Sequence, residues 1–307
     1  MRVGGLSRLA IALVAMVATL ATGGVTAASA SADNGLGTAA TETVAAPPRD
    51  NTSNEPVYFI KGYLGVSEDA TGSNCLDSWG PAKKLFEDEK WSGPLHLVGF
   101  YAGDTNCDAK IAAGNKNTSI KELGKKLANH IYNNYSKHGK SVDLIGHSMG
   151  GLIARAAITG VERKEEGFPP SLLVEDAVTI ATPHDGIFLS RFCWAAERTT
   201  QCREMQPRSD FLKWAGENPQ SAQGTDWTVI GAADDYYLEG SSLGMSADHR
   251  VWYYAGNKGW KHENINEITT GTYRQLYQNL PAGPIFDSTG AAPVRAAMNA
   301  LYWSENW

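Results

Sequence analysis

The chain has 307 residues, 42% of them hydrophobic and 20% charged, with a formal net charge of −6 at pH 7. That length supports a large buried core, and a single α/β domain reaches this size. The acidic balance, with no basic cluster to offset it, excludes nucleic acid as a partner, because phosphate backbones reward basic patches.

Residues 1–32 read as a signal peptide. Arg2 and Arg8 supply a positive start, Leu9 to Leu20 an apolar core, and Ala28-Ser29-Ala30 and Ala30-Ser31-Ala32 fit the cleavage pattern. Leu6 to Val25 approaches the roughly 20 residues of a membrane span. Its Thr and Gly content and the cleavage site favour export over anchoring. Losing Arg2 and Arg8 takes the charge from −6 to −8. No later segment is long and apolar enough to span a bilayer, so a soluble, extracellular monomer is expected. Residues 33–55, rich in Ala, Thr, Gly, Asn and Pro, read as a flexible lead-in that buries too little to fold. The folded domain is placed at 56–307.

Val57 to Ile60 and Leu95 to Tyr101 are short runs of β-formers. Ser119-x-x-Glu122 is a capping box ahead of Ile120, Leu123, Leu127 and Ile131, which recur at helical spacing up to a stop near Gly139. Ser141 to Ile145 reads as a strand and Leu152 to Val161 as the helix after it. Val174 to Ala181, Trp227 to Gly231 and Arg250 to Ala255 are further strands. Strands alternating with helices imply βαβ units and a mainly parallel sheet.

The stretch "DLIGHSMGGLIARA", Asp143 to Ala156, sets Ser148 between Gly146-His147 and Met149-Gly150, after a strand and before a helix. A G-x-S-x-G match alone is weak evidence in a glycine-rich chain. The strand-to-helix context strengthens it, since a nucleophile on a sharp turn needs small neighbours. With Lys61-Gly62-Tyr63-Leu64-Gly65 and Ala181-Thr182-Pro183-His184-Asp185-Gly186, this motif makes the chain resemble α/β-hydrolases. Within that fold it resembles the secreted bacterial lipases and esterases of actinobacterial type. The resemblance runs from about Val57 to the C-terminus. Lys61 departs from it, because such lipases usually carry His before the glycine.

The resemblance implies Ser148 as nucleophile, with the N–H groups of Tyr63 and Met149 as the oxyanion donors. The base must be one of seven histidines. His96, His130 and His138 precede the nucleophile, on the wrong side for the Ser…Asp…His order of the fold. His147 is read as pointing away, His249 as a cap or a surface residue, and His184 as part of a structural turn. His262, in "GNKGWKHENI" after the last clear strand, is left. The acid falls in "WTVIGAADDYYLEGSS", where Asp234 and Asp235 compete. Similar lipases show Gly-x-x-Asp and then a hydrophobic residue three places on, which Gly231 and Tyr237 match for Asp234, so Asp234 is preferred.

Residues 186–225 form an insertion in which Phe188, Leu189, Phe192, Trp194, Phe211, Leu212 and Trp214 punctuate charged residues. It reads equally as a mobile cap over an acyl groove or as helices packed on the sheet. Cys75, Cys107, Cys193 and Cys202 are an even set in an exported chain, and their spacing does not suit zinc. Three pairings are open. Local pairing, Cys75 with Cys107 and Cys193 with Cys202, is preferred. The expected activity is hydrolysis of carboxylic esters, foremost as a lipase in transient contact with a lipid interface, with no cofactor and no metal. A short-chain or polyester-cleaving esterase, an acyltransferase, and a non-catalytic binding protein on the same fold are the competing readings.

Overall fold

Val57–Ile60 (β1) is buried along its whole length, as a strand covered on both faces must be. The computed structural model describes residues 47–49, 51–65, 70–187, 198–238, 240–302 and 307. All of these lie in the compact unit Thr43–Trp307. The expected signal peptide and most of the lead-in lie outside the described residues. At the end of the lead-in, Arg49 pairs with Asp176 at 2.9 Å, Asn51 N–H donates to Glu175, and the Glu55 carbonyl accepts from the Trp91 indole.

The further elements, in chain order, are Cys75–Asp88 (α1), Leu95–Tyr101 (β2), Ala109–Gly114 (β3), Ile120–Asn134 (α2), Val142–His147 (β4), Met149–Glu162 (α3) and Val174–Ile180 (β5). Two short helices follow, Thr200–Glu204 (α4) and Asp210–Trp214 (α5). Then come Asp226–Ala232 (β6), His249–Tyr253 (β7), Thr272–Asn279 (β8), Ile285–Ala291 (β9) and Pro293–Tyr302 (α6). The described strands form one sheet in the order β3-β2-β1-β4-β5-β6-β7-β8-β9. It is parallel from β3 through β7, and β8 and β9 close it antiparallel.

All six strands expected from sequence are present. The capping box is real, with Ser119 Oγ accepting from Glu122 N–H at 3.0 Å. Helices α2 and α3 meet so closely that a Cβ on Gly124 would lie 2.6 Å from that of Ala156. Register puts the carboxyl ends of β1 and β4 side by side, with Ile60 opposite Gly146. Ligands of open α/β sheets bind at that end of the strands.

The insertion resolves toward packing where it is described. Cys202, Met205, Phe211 and Leu212 are buried in the core, and the Arg155 guanidinium on α3 donates to the carbonyls of Ala215 and Gly216. Residues 188–197 lie outside the described residues, so the expected aromatic run Phe188 to Trp194 goes with them. The structure bridges Cys75 and Cys107, with Cα atoms 5.2 Å apart. Cys202 is also disulfide-bonded, and its expected partner Cys193 lies outside the described residues. No described helix is long and apolar enough to cross a membrane.

Candidate active site

The turn from β4 to α3 holds Ser148 at φ 54°, a left-handed conformation that side chains rarely adopt. The flanking glycines explain how the turn can be so tight. A Cβ on Gly146 would sit 2.4 Å from Gly151 N, one on Gly150 2.1 Å from the Ile60 carbonyl, and one on Gly151 2.1 Å from Thr182 Oγ1. Thr182 is placed there to donate its hydroxyl to the Ser148 carbonyl at 2.9 Å. Ser148 thus stands at the N-terminus of α3, where the helix dipole favours negative charge.

His262 Nε2 lies 2.8 Å from Ser148 Oγ, and His262 Nδ1 lies 2.7 Å from Asp235 Oδ2. All three side chains are buried. A carboxylate accepts only, so Nδ1 carries the proton, and Nε2 is left to accept from the serine hydroxyl. Asp235 Oδ1 in turn accepts from Tyr237 N–H at 3.1 Å, which fixes the carboxylate.

The carboxylate that meets the His262 imidazole is Asp235, not the preferred Asp234. Asp234 turns the other way. Its two oxygens accept from the backbone N–H groups of Gly256 at 3.0 Å and Asn257 at 2.8 Å, pinning the loop after β7. Both residues lie in the turn after β6, where Asp235 N–H donates to the Ala232 carbonyl at 3.1 Å, and that turn aims the two neighbouring carboxylates at different partners.

His147 also departs from expectation. It is buried and lines the same cleft as Ser148, and its Nε2 donates to the His262 carbonyl at 2.8 Å. Burial, with His262 close by, pushes its pKa down to about 3, so it stays a neutral donor that anchors the backbone of His262. An apolar strand ending in Gly-His-Ser offered no signal of this, because the partner is a carbonyl 115 residues away. His249 is neither a cap nor a free surface residue. Its ring nitrogens meet Asn279 Oδ1 at 2.7 Å and Asp226 Oδ2 at 3.1 Å. His184 is structural as expected, buried in its turn with Nε2 2.9 Å from Thr179 Oγ1.

Lys61 to Gly65 follows β1 and runs directly over Ser148. A Cβ on Gly62 would lie 2.9 Å from Ser148 Cβ, so no side chain fits there. Lys61, which stands where similar lipases carry His, is buried 3.1 Å from Asp104 and beneath the rings of Phe100 and Tyr101. Asp104 also accepts from the N–H groups of Ser73, Phe100 and Tyr101, so one carboxylate ties the segment before α1 and the end of β2 to the turn over Ser148. Tyr63 lines the cleft beside Ser148, and Met149 is the first residue of α3. The cleft encloses about 400 Å³. Among the described residues no cluster of His, Cys, Asp or Glu is arranged to hold a metal.

A mostly parallel sheet flanked by helices, with a strained serine turn after β4, defines an α/β-hydrolase fold. Residues 51–192, somewhat less than half of the chain, match the family described as PGAP1-like alpha/beta domain. No curated protein sequence matches the chain. Among solved structures it is similar to a phospholipase of Legionella pneumophila in complex with thio-NAD, at 13% identity and TM-score 0.41, covering 58% of this chain and 38% of that one. It is similar to a Bacillus licheniformis lipase in mature form, at 18% identity and TM-score 0.38, covering 64% and 73%. Lipase B of Aspergillus fumigatus gives 12% identity and TM-score 0.48, covering 81% and 56%. The chain thus spans under two-fifths of the Legionella protein.

Proposed function

We propose that the chain is an exported serine hydrolase of carboxylic esters, with Ser148 as nucleophile, His262 as base and Asp235 as the group that orients it. The observation that carries this is the continuous chain of contacts from Ser148 Oγ through His262 to Asp235, at 2.8 and 2.7 Å. His262 takes the hydroxyl proton as Ser148 attacks the ester carbonyl. The N–H groups of Tyr63 and Met149 receive the developing oxyanion, a role supported by their places on the loop over Ser148 and at the start of α3. The alcohol leaves with that proton, and water then releases the acid from the acyl-enzyme. The Cys75–Cys107 bridge suits an exported protein, since such bonds persist in oxidising compartments.

A lipase acting on long acyl chains at a lipid surface is the second reading. It is favoured by Leu76 and Tyr236, exposed at 45% and 70% and adjacent to residues that line the cleft. Hydrolysis of p-nitrophenyl esters from acetate to palmitate, with Ser148→Ala alongside, tests both. Turnover that falls at least about a thousandfold in the variant is expected. Rates rising with chain length favour the lipase, and rates confined to short chains favour a simple esterase. Turnover that survives the substitution refutes the nucleophile.

A further inference from the structure

The cleft beside Ser148 carries unbalanced charge. Asp77, Glu263 and Glu267 all line it, and among the described residues none of the three forms an ion pair. Lys61 is the one cation among its described lining residues, and it is buried against Asp104. Burial, and then the charge of Asp77, raise the Glu267 carboxyl above its usual range, so these two groups sense each other across the cleft. Glu263 shares a hydrogen bond with Tyr237, whose ring stands edge-on to His262 with centroids 5.7 Å apart. In the same lining, Asn266 is only 2% exposed. Its Nδ2 donates to the Ser78 carbonyl at 2.5 Å, and its Oδ1 is buried with no hydrogen-bond partner.

Three carboxylates and an unsatisfied amide oxygen around one reactive serine make a site rich in acceptors and short of donors. Like charges gathered in a cleft repel one another and focus a field that draws in cations. The ring of Tyr237 adds a face on which a cation can rest.

We propose that the ester hydrolysed here carries a cationic group, a quaternary or protonated amine, held by Asp77, Glu263 and Glu267 while its carbonyl meets Ser148. This rests on the reading of Ser148 as nucleophile. The bonding is that of simple ester hydrolysis. The ester C–O bond breaks, acyl passes to Ser148 Oγ, the alcohol takes the serine proton, and one water regenerates the serine and frees the acid.

The test compares butyrylcholine with 3,3-dimethylbutyl butyrate, its uncharged isostere, in the signal-free chain. The readout is the ratio of the two kcat/KM values within each protein, so a general loss of activity cancels. A ratio of about ten or more is expected at low salt, shrinking as salt is added. It should fall to near one in Asp77→Asn/Glu263→Gln/Glu267→Gln. Should that triple variant fail to fold by circular dichroism, Glu267→Gln alone should lower the ratio about threefold. Equal rates in the unaltered chain, or a cation preference that persists in the variants, overturns the proposal. Turnover of p-nitrophenyl butyrate that disappears in Ser148→Ala then shows that the reading of the serine still stands. Absence of any Ser148-dependent turnover overturns both.

Discussion

Asp234 and Asp235 are adjacent, chemically identical and both fully engaged, yet only one touches the imidazole. Asp235 faces His262 at 2.7 Å, while Asp234 holds two backbone N–H groups of the next loop. Substitution should separate them by phenotype. Asp235→Asn replaces the acceptor at His262 Nδ1 with a group that favours the wrong tautomer, and kcat should fall about a thousandfold or more at nearly unchanged stability. Asp234→Asn should leave kcat within a few-fold while lowering stability by about 1–2 kcal/mol, because one of two N–H groups loses its partner. The two are checked by steady-state kinetics beside urea denaturation. The reverse pattern would restore Asp234 as the acid.

At the scale of elements, the cleft is assembled by pieces that are not adjacent in sequence. The loop after β1 and the elbow after β4 supply one side, and the start of α1 with the turn Ile265–Glu267 the other. The Cys75–Cys107 bridge ties the first residue of α1 to the loop between β2 and β3, closing 32 residues. Replacing both cysteines by Ala should cost about 3–4 kcal/mol on loop-entropy grounds. An unchanged urea midpoint would show that the bridge does not anchor α1.

Six of the nine described strands were legible in the sequence because each is a short run rich in apolar β-formers. Helix α2 announced itself by its capping box and its apolar periodicity. Helix α1 did not, since Gly80-Pro81 in its middle reads as a turn. Strand β3 is mostly Ala and Gly, which have no β preference, and the exposed strand β9 has no buried face to leave a pattern. The meeting of Ser148 with His262 was legible from motif and chain order. Asp235 was not, because choosing it requires the geometry of the turn that follows β6. The buried hydrogen bond from His147 requires a carbonyl that only the fold brings near.

The whole molecule separates two ends of one sheet. Ser148, Asp235 and His262 gather at the carboxyl ends of the strands, while Asp143, Asp176 and Asp226 lie near the start of β4, β5 and β6, with Glu55 just ahead of β1. Asp143 is fully buried. Desolvation first, then the charges of Asp176, Glu55 and Glu175, raise its carboxyl well above the usual range, and its Oδ2 has no partner. An acid whose pKa is raised on folding favours the native state fully only below its unfolded value of about 3.9, and loses that contribution as pH rises toward the folded value. Asp143→Asn removes the titration. The variant should be more stable than the parent at pH 7, with the gap closing by up to about 1.4 kcal/mol per pH unit on acidification toward pH 4. Urea midpoints at the two pH values check this, and a gap that widens on acidification would contradict it.

The central claim, that Ser148 is a nucleophile driven by His262 and Asp235, is tested most directly by covalent capture. The intact protein is treated with a fluorophosphonate, and the rate and site of modification are followed by mass spectrometry in the parent, Ser148→Ala, Asp234→Asn and Asp235→Asn. One adduct per chain on the peptide containing Ser148 is predicted. It should be absent in Ser148→Ala, formed at close to the parental rate in Asp234→Asn, and slowed at least about a hundredfold in Asp235→Asn. An unmodified Ser148 in the folded parent, or an adduct on another residue, would contradict the account.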